Sequence, residues 1–286
     1  MSVPARLAGF AAALTALFGL AFAGGHLFGD GRPRTTAGDA HAARAMSGMD
    51  DEHGAAAPQG LSVAASGLRL VAPDRLPADR TASFTFRIVD ADGATVRDFD
   101  VEHGKRLHLI VVGRDLTGFQ HLHPRQDAAG AWTTTLRLPA AGAYRVFADF
   151  RRTGGERLTL ASDLLAAGAY RPAGNAPAAS SVAHVDGYDV ALAPPARSGG
   201  DDLDFTVTRG GRPVALQPYL GTAGHLVALR AGDLAYLHVH PQDGAAAGDV
   251  AFGASFPSAG RYRLFLQFRH GDRVHTAVFD RTEPVA

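Results

Sequence analysis

The sequence predicts an all-β chain: two antiparallel β-sandwiches in tandem, behind an N-terminal hydrophobic helix and a flexible tether. Three observations predict it. Glycine and proline supply 34 and 16 of the 286 residues, a share that suits many short strands joined by turns better than long helices. Apolar and polar residues alternate over short stretches. In ASFTFRIVD, for example, Ala82, Phe84, Phe86 and Ile88 share one face while Ser83, Thr85 and Arg87 share the other. Finally, RLHLIVVGRDLTGFQHLHP at 106–124 returns without a gap as AGHLVALRAGDLAYLHVHP at 223–241.

The first element, residues 1–28, is apolar from Leu7 to about Phe28. The AFA ending at Ala23 reads as a signal-peptidase site, which would give a removed secretion signal. The same stretch is long enough to span a bilayer as an uncleaved helix, which would anchor the chain in the membrane. Either way the remainder is expected outside the cytoplasm. The chain has no cysteine, which excludes a lipoprotein anchor, disulfides and thiol chemistry. Lys+Arg and Asp+Glu balance at 28 each, so no nucleic-acid partner is implied. Residues 29–60 carry few large apolar side chains and no sustained period, as a tether does. It contains His41, Met46, Met49 and His53. Thioether sulfur favours Cu(I), which tips the metal towards copper, although a low-complexity linker with incidental methionines is the simpler account of the segment.

The two repeats are expected over 61–168 and 185–286, with an Ala/Pro/Gly/Ser-rich linker at 169–184. His108, His121, His123 and Pro124 fall on His225, His238, His240 and Pro241, each shifted by 117 positions. Further on, LPAAGAYRVFADF at 138–150 matches FPSAGRYRLFLQF at 256–268, shifted by 118. A unit this long is a whole domain and not a solenoid repeat. In the first copy, strands are expected near 67–72, 82–90, 106–113, 118–123, 132–138, 143–150 and 157–162. Tyr144 and Tyr262 each follow Ala-Gly-x at a strand start, two residues before Val146 and Leu264. That placement matches the tyrosine corner of immunoglobulin-like sandwiches, so the repeats are expected to be immunoglobulin-like.

Residues i and i+2 of a strand point to one face, so His121 and His123 project together, as do His238 and His240. In a tight hairpin through GRDLTG, His108 lies across from His121–His123. A loop with an even residue count puts all three on one face, and an odd count turns His108 away. Three neutral imidazoles on a rigid sheet suit copper or zinc. The candidate metal ligands are therefore His108, His121 and His123 in the first repeat and His225, His238 and His240 in the second. His103 is an optional fourth group, because Leu220 stands at its place in the second copy. The alternative is a structural or interaction module whose histidines only brace the hairpins. No catalytic motif emerges: there is no GxSxG, no phosphate loop after a strand and no CxxC. Asp115 and Asp233 read as turn residues. The chain is therefore expected not to be an enzyme.

The exported leader, the strands with xxGxYR and the HxHP hairpins resemble the YtkA-like and CopC-like extracytoplasmic domains of bacteria. The resemblance covers mainly 82–150 and 203–268. It implies copper handling and carries over to the His-x-His elements at 121–123 and 238–240. It does not carry over an amino-terminal histidine ligand, since cleavage after Ala23 leaves Gly24 first and His26 third. The expectation is a copper-binding (alternatively zinc-binding) protein for sequestration or delivery, with two ions per chain and a membrane contact if the leader stays.

Overall fold

The computed structural model describes Thr15 and residues 58–171, 181–194, 202–237, 239–242 and 247–284. The helix expected over 1–28, Thr15 apart, and the Met/His segment of the tether lie outside them. Both repeats fall within one compact unit, Ala55–Ala286. Among the described residues no helix is long and apolar enough to cross a membrane.

The first repeat contains β1 (Ala64–Ala65), β2 (Leu68–Val71), β3 (Arg75–Pro77), β4 (Thr81–Val89) and β5 (Leu107–Gly113). It continues with β6 (Gln120–Leu122), β7 (Arg125–Gln126), β8 (Trp132–Arg137), β9 (Gly142–Arg151) and β10 (Arg157–Ala167). The second contains β11 (Val182–Val185), β12 (Tyr188–Leu192), β13 (Asp202–Arg209), β14 (Arg212–Pro213) and β15 (Gly224–Arg230). Then follow β16 (Tyr236–Leu237), β17 (Val239–Gln242), β18 (Asp249–Ala254), β19 (Gly260–His270) and β20 (Arg273–Glu283). β11 begins inside the stretch read as linker.

Each repeat is a sandwich of two sheets. In the first, β1-β2-β4-β8-β7 faces β3-β10-β9-β5-β6; in the second, β11-β12-β13-β18-β17 faces β16-β15-β19-β20. β2, β4, β8 and β7 take the places of immunoglobulin strands A, B, E and D, and β5, β9 and β10 those of C, F and G. Period two builds each core. In β4, Phe84, Phe86 and Ile88 point inward onto Leu107, Leu109 and Val111 of β5; Phe205, Phe252, Leu264 and Phe279 do the same work in the second repeat. Both tyrosine corners form: Tyr144 Oη donates to Ala140 O and Tyr262 Oη to Ser258 O, each at 2.9 Å.

The two sandwiches dock through their β5/β9 and β15/β19 sheets. A third apolar cluster fills this seam, with Ile110, Val112 and Phe147 on one side and Val227, Leu229 and Phe265 on the other. β5 is consequently buried along both faces, and such strands read as continuous apolar runs. Phe119 lies flat on Phe265, centroids 4.1 Å apart, and Phe147 packs against Tyr236 at 5.6 Å.

The last residues of the stretch read as tether are built into the fold. Tyr236 N donates to Gln59 O at 2.8 Å and Gly60 N to Thr159 O at 3.0 Å, so the segment touches both repeats. Gly60 has φ +71°, and a Cβ there would stand 2.8 Å from the Phe147 ring and 2.9 Å from Tyr236 Cβ. Only glycine fits.

Candidate metal centre

His108 stands on β5 with the parity of Ile110 and Val112, so its ring enters the seam and not the sandwich core. The hairpin has the even count: Leu109 pairs with Leu122 and Ile110 with His121. His108, His121 and His123 therefore share a face, and one ring nitrogen from each lies within 4.8 Å of the others. Asp115 is a turn residue, accepting from Thr117 N at 3.0 Å; Asp233 accepts from Ala235 N at 3.1 Å. After His123 the chain leaves β5, and past Pro124 it joins the opposite sheet as β7.

The partners of the ring nitrogens bear on how the rings are protonated. His121 Nδ1 lies 2.6 Å from Gln267 Oε1 of the second repeat, while Gln267 Nε2 donates to Thr276 Oγ1 at 3.4 Å. The amide oxygen thus faces His121, whose Nδ1 must donate. His108 Nε2 lies 3.3 Å from the carbonyl oxygen of Glu102, which can only accept. Neutral imidazole carries one proton, so with both of these bonds made the remaining nitrogens present lone pairs. These nitrogens, His108 Nδ1 and His121 Nε2, stand 2.9 Å apart. That distance fits a hydrogen bond, with one ring's proton between them, and it equally fits two ligands of one ion. Two nitrogens about 2.0–2.1 Å from one ion, at 90–110°, stand roughly 2.9–3.4 Å apart. His123 Nε2 adds a buried nitrogen without a hydrogen-bond partner.

A proton is a poor occupant of this place near neutral pH. Burial first, then the charges that His108 and His123 would carry, push His121 down to about 3. Burial first, then His108 and Lys105, push His123 down to about 4. His108, His103 and His225 are also lowered, burial being the main cause for each. Desolvation disfavours the charged ring, and neutral rings are the metal-binding form. Opposite His108 on β9 sits Asp149, buried and gripped by Arg157 Nε and Nη2 at 3.0 and 2.5 Å.

The second set is arranged differently. His225 enters the seam beside the first set, its ring 5.4 Å from His108 and 4.7 Å from His121. It stacks on them, with planes 9° and 28° apart. Imidazole lone pairs lie in the ring plane, so a ring stacked on His108 aims its nitrogens alongside an ion held there. His238 lies outside the described residues. His240 is exposed on β17, paired with Gly253 of β18 on the opposite sheet. The cause is an earlier crossing between sheets: Leu122 still pairs with β5, whereas its equivalent Val239 already pairs with Ala254 of β18. Pro241 accordingly lies inside an edge strand and not at a strand end. Among the described residues, the three first-repeat histidines make the one group with metal-ligand spacing.

His103 sits in a tight turn with Gly104, φ 51° and 73°, its ring 6.2 Å from His108 and 6.0 Å from His225. The equivalent turn holds Leu220 and Gly221, φ 55° and 86°. Sequence reasoning missed Gln267 and the Glu102 carbonyl. A signal for Gln267 was present, since the matched segments put it at the place of Asp149, a polar residue inside an apolar strand in both copies. His275 is buried, donating to Asp186 Oδ2 at 2.7 Å, and His184 is exposed beside Asp189.

A family model described as a domain of unknown function, DUF8832, matches two segments of the chain, 63–167 and 183–283. No curated protein matches. Among solved structures, Yersinia pseudotuberculosis InvD is similar over 78% of this chain and 59% of its own, at 15% identity and TM-score 0.26. Salmonella alpha-2-macroglobulin reacted with methylamine is similar over 80% of this chain and 15% of its own, at 15% identity and TM-score 0.28. The Yersinia pseudotuberculosis adhesin InvE is similar over 78% of this chain and 60% of its own, at 14% identity and TM-score 0.23. The chain spans less than two thirds of each, and at such TM-scores none bears on what it does.

Proposed function

This chain belongs to the DUF8832 family, and from the seam its two repeats build we propose that it is a metal-binding protein, taking copper or alternatively zinc. It acts outside the cytoplasm, secreted or held at the membrane by its apolar leader, and sequesters or delivers the ion without turnover. One observation carries the reading: ring nitrogens of His108, His121 and His123 converge within 4.8 Å of one another, while the far nitrogens of His108 and His121 lie beside the Glu102 carbonyl and Gln267 Oε1. Metal-binding histidines are oriented in this way, through an outer N–H held by a carbonyl or carboxylate. The residues that hold the ion are His108, His121 and His123, one ion at this centre. A neutral nitrogen set without thiolate suits copper and zinc over hard cations.

The test is titration of the purified chain with Cu(II) and, separately, Zn(II), against a chromophoric chelator. One equivalent is expected at this centre, and His121→Ala with His123→Ala removes it. A chain that binds neither ion, or a double variant that binds as the unaltered chain does, refutes the reading and leaves the histidines as braces of the hairpin.

A further inference from the structure

We infer that the second repeat serves as the positioning partner of the first: Gln267 sets the tautomer of His121 across the seam, so ion binding in one repeat depends on docking of the other. The inference rests on the metal reading above.

His121 can ligate through Nε2 only if its proton sits on Nδ1. Within the first repeat nothing else is seen to hold that proton; the acceptor is Gln267 Oε1, 2.6 Å away and 146 residues later in the chain. The amide nitrogen points the other way, toward Thr276 Oγ1 at 3.4 Å. Gln267 is buried on β19, paired with His225 on β15. His225 in turn lies flat against His121, centroids 4.7 Å apart. The second repeat thus fixes both the protonation and the tilt of the ring: Gln267 acts at its edge and His225 at its face.

Duplication explains why the two copies diverged here. Gln267 stands where the first repeat has Asp149, opposite the equivalent histidine in each sheet. Asp149 is an acidic side chain held by Arg157 and Thr159 within its own repeat. The neutral amide leaves an acceptor for the neighbouring repeat without adding a second buried charge. The copies have become complementary: one ligates, the other orients.

The experiment uses the purified chain with Zn(II) as probe. Gln267→Met keeps the side chain's size and removes the acceptor, and the affinity is expected to fall about 10–100-fold, the usual effect of losing an outer partner of a metal-bound histidine. Gln267→Glu keeps an acceptor and is expected to hold the affinity. Nitrogen-15 imidazole spectra of the metal-free chain are expected to show the proton of His121 on Nδ1, moving to Nε2 in Gln267→Met. Equal affinities for Gln267→Met and the unaltered chain overturn the inference while the metal reading stands. A proton on Nε2 of His121 in the unaltered, metal-free chain overturns it without any variant. Loss of Zn(II) and Cu(II) binding from the unaltered chain itself sinks the metal reading and this inference with it.

Discussion

His108 and His225 hold equivalent positions in the two repeats and stack on each other across the seam, ring planes 9° apart and centroids 5.4 Å apart. A residue that meets its own counterpart lies near a two-fold axis. The aromatic contacts around it obey the same symmetry: Phe119 packs on Phe265, and their equivalents Tyr236 and Phe147 pack on each other. The seam is therefore an isologous contact of the kind that symmetric dimers make, here within one chain. The histidine cluster sits beside that axis, with His108, His121 and His123 on one side and His225 and Gln267 on the other.

Under the proposed reading His225 stacks on the ligand rings and is not itself a ligand, so its replacement by another flat ring is expected to be mild. His225→Phe should bind Zn(II) within about tenfold of the unaltered chain, below the upper range for outer partners, whereas His108→Phe should abolish binding. Chelator competition on the two variants measures the difference, and equal losses would assign His225 a ligand role.

The low proton affinities of His121 and His123 predict a pH profile. Their folded-state values, about 3 and about 4, lie below the ordinary 6.5. Between those values and 6.5 the unfolded chain binds more protons than the folded one, so stability falls as pH drops through that window and is flat above it. Ion affinity should hold below the ordinary 6.5, because burial lowers the proton affinity of all three rings of the folded chain. Denaturant unfolding and chelator competition from pH 7.5 to 4 test both. Affinity lost already near pH 6.5 would mean that the rings are open to water.

Tyr144→Phe and Tyr262→Phe each remove a corner hydroxyl with its hydrogen bonds and are expected to cost about 1 kcal/mol or more apiece. The corners lie in separate sandwiches, so the double variant should cost the sum. Chemical denaturation of the three variants gives the comparison, with ion binding unchanged in all.

Gly60→Ala tests the strap across the seam. A Cβ at φ +71° costs about 1–2 kcal/mol from backbone strain alone, and contact with Phe147 and Tyr236 adds to it. The variant should unfold at lower denaturant and show faster amide exchange in Tyr236, whose N–H bonds Gln59. An unaltered exchange rate would mean that the strap does not hold the repeats together.

The sequence by itself determined the strands, the duplication and the corners. These follow from local alternation, turn residues and internal matching, which lie along the chain. Thus Phe84, Phe86 and Ile88 face inward as their spacing requires, and His108, His121 and His123 share a face once the hairpin takes its even count. The register itself was open in the sequence, since the turn could have been built either way. Only the tertiary structure decided that the two β5/β9-type sheets dock face to face, that His225 joins the first set and that Gln267 holds His121. Docking depends on the shape of two surfaces assembled from residues more than a hundred positions apart, and no periodicity along one strand encodes it. The crossing that takes His240 to the opposite sheet while His123 remains near β5 is likewise a difference of one or two ladder pairs, too small to leave a mark in a sequence that otherwise repeats itself.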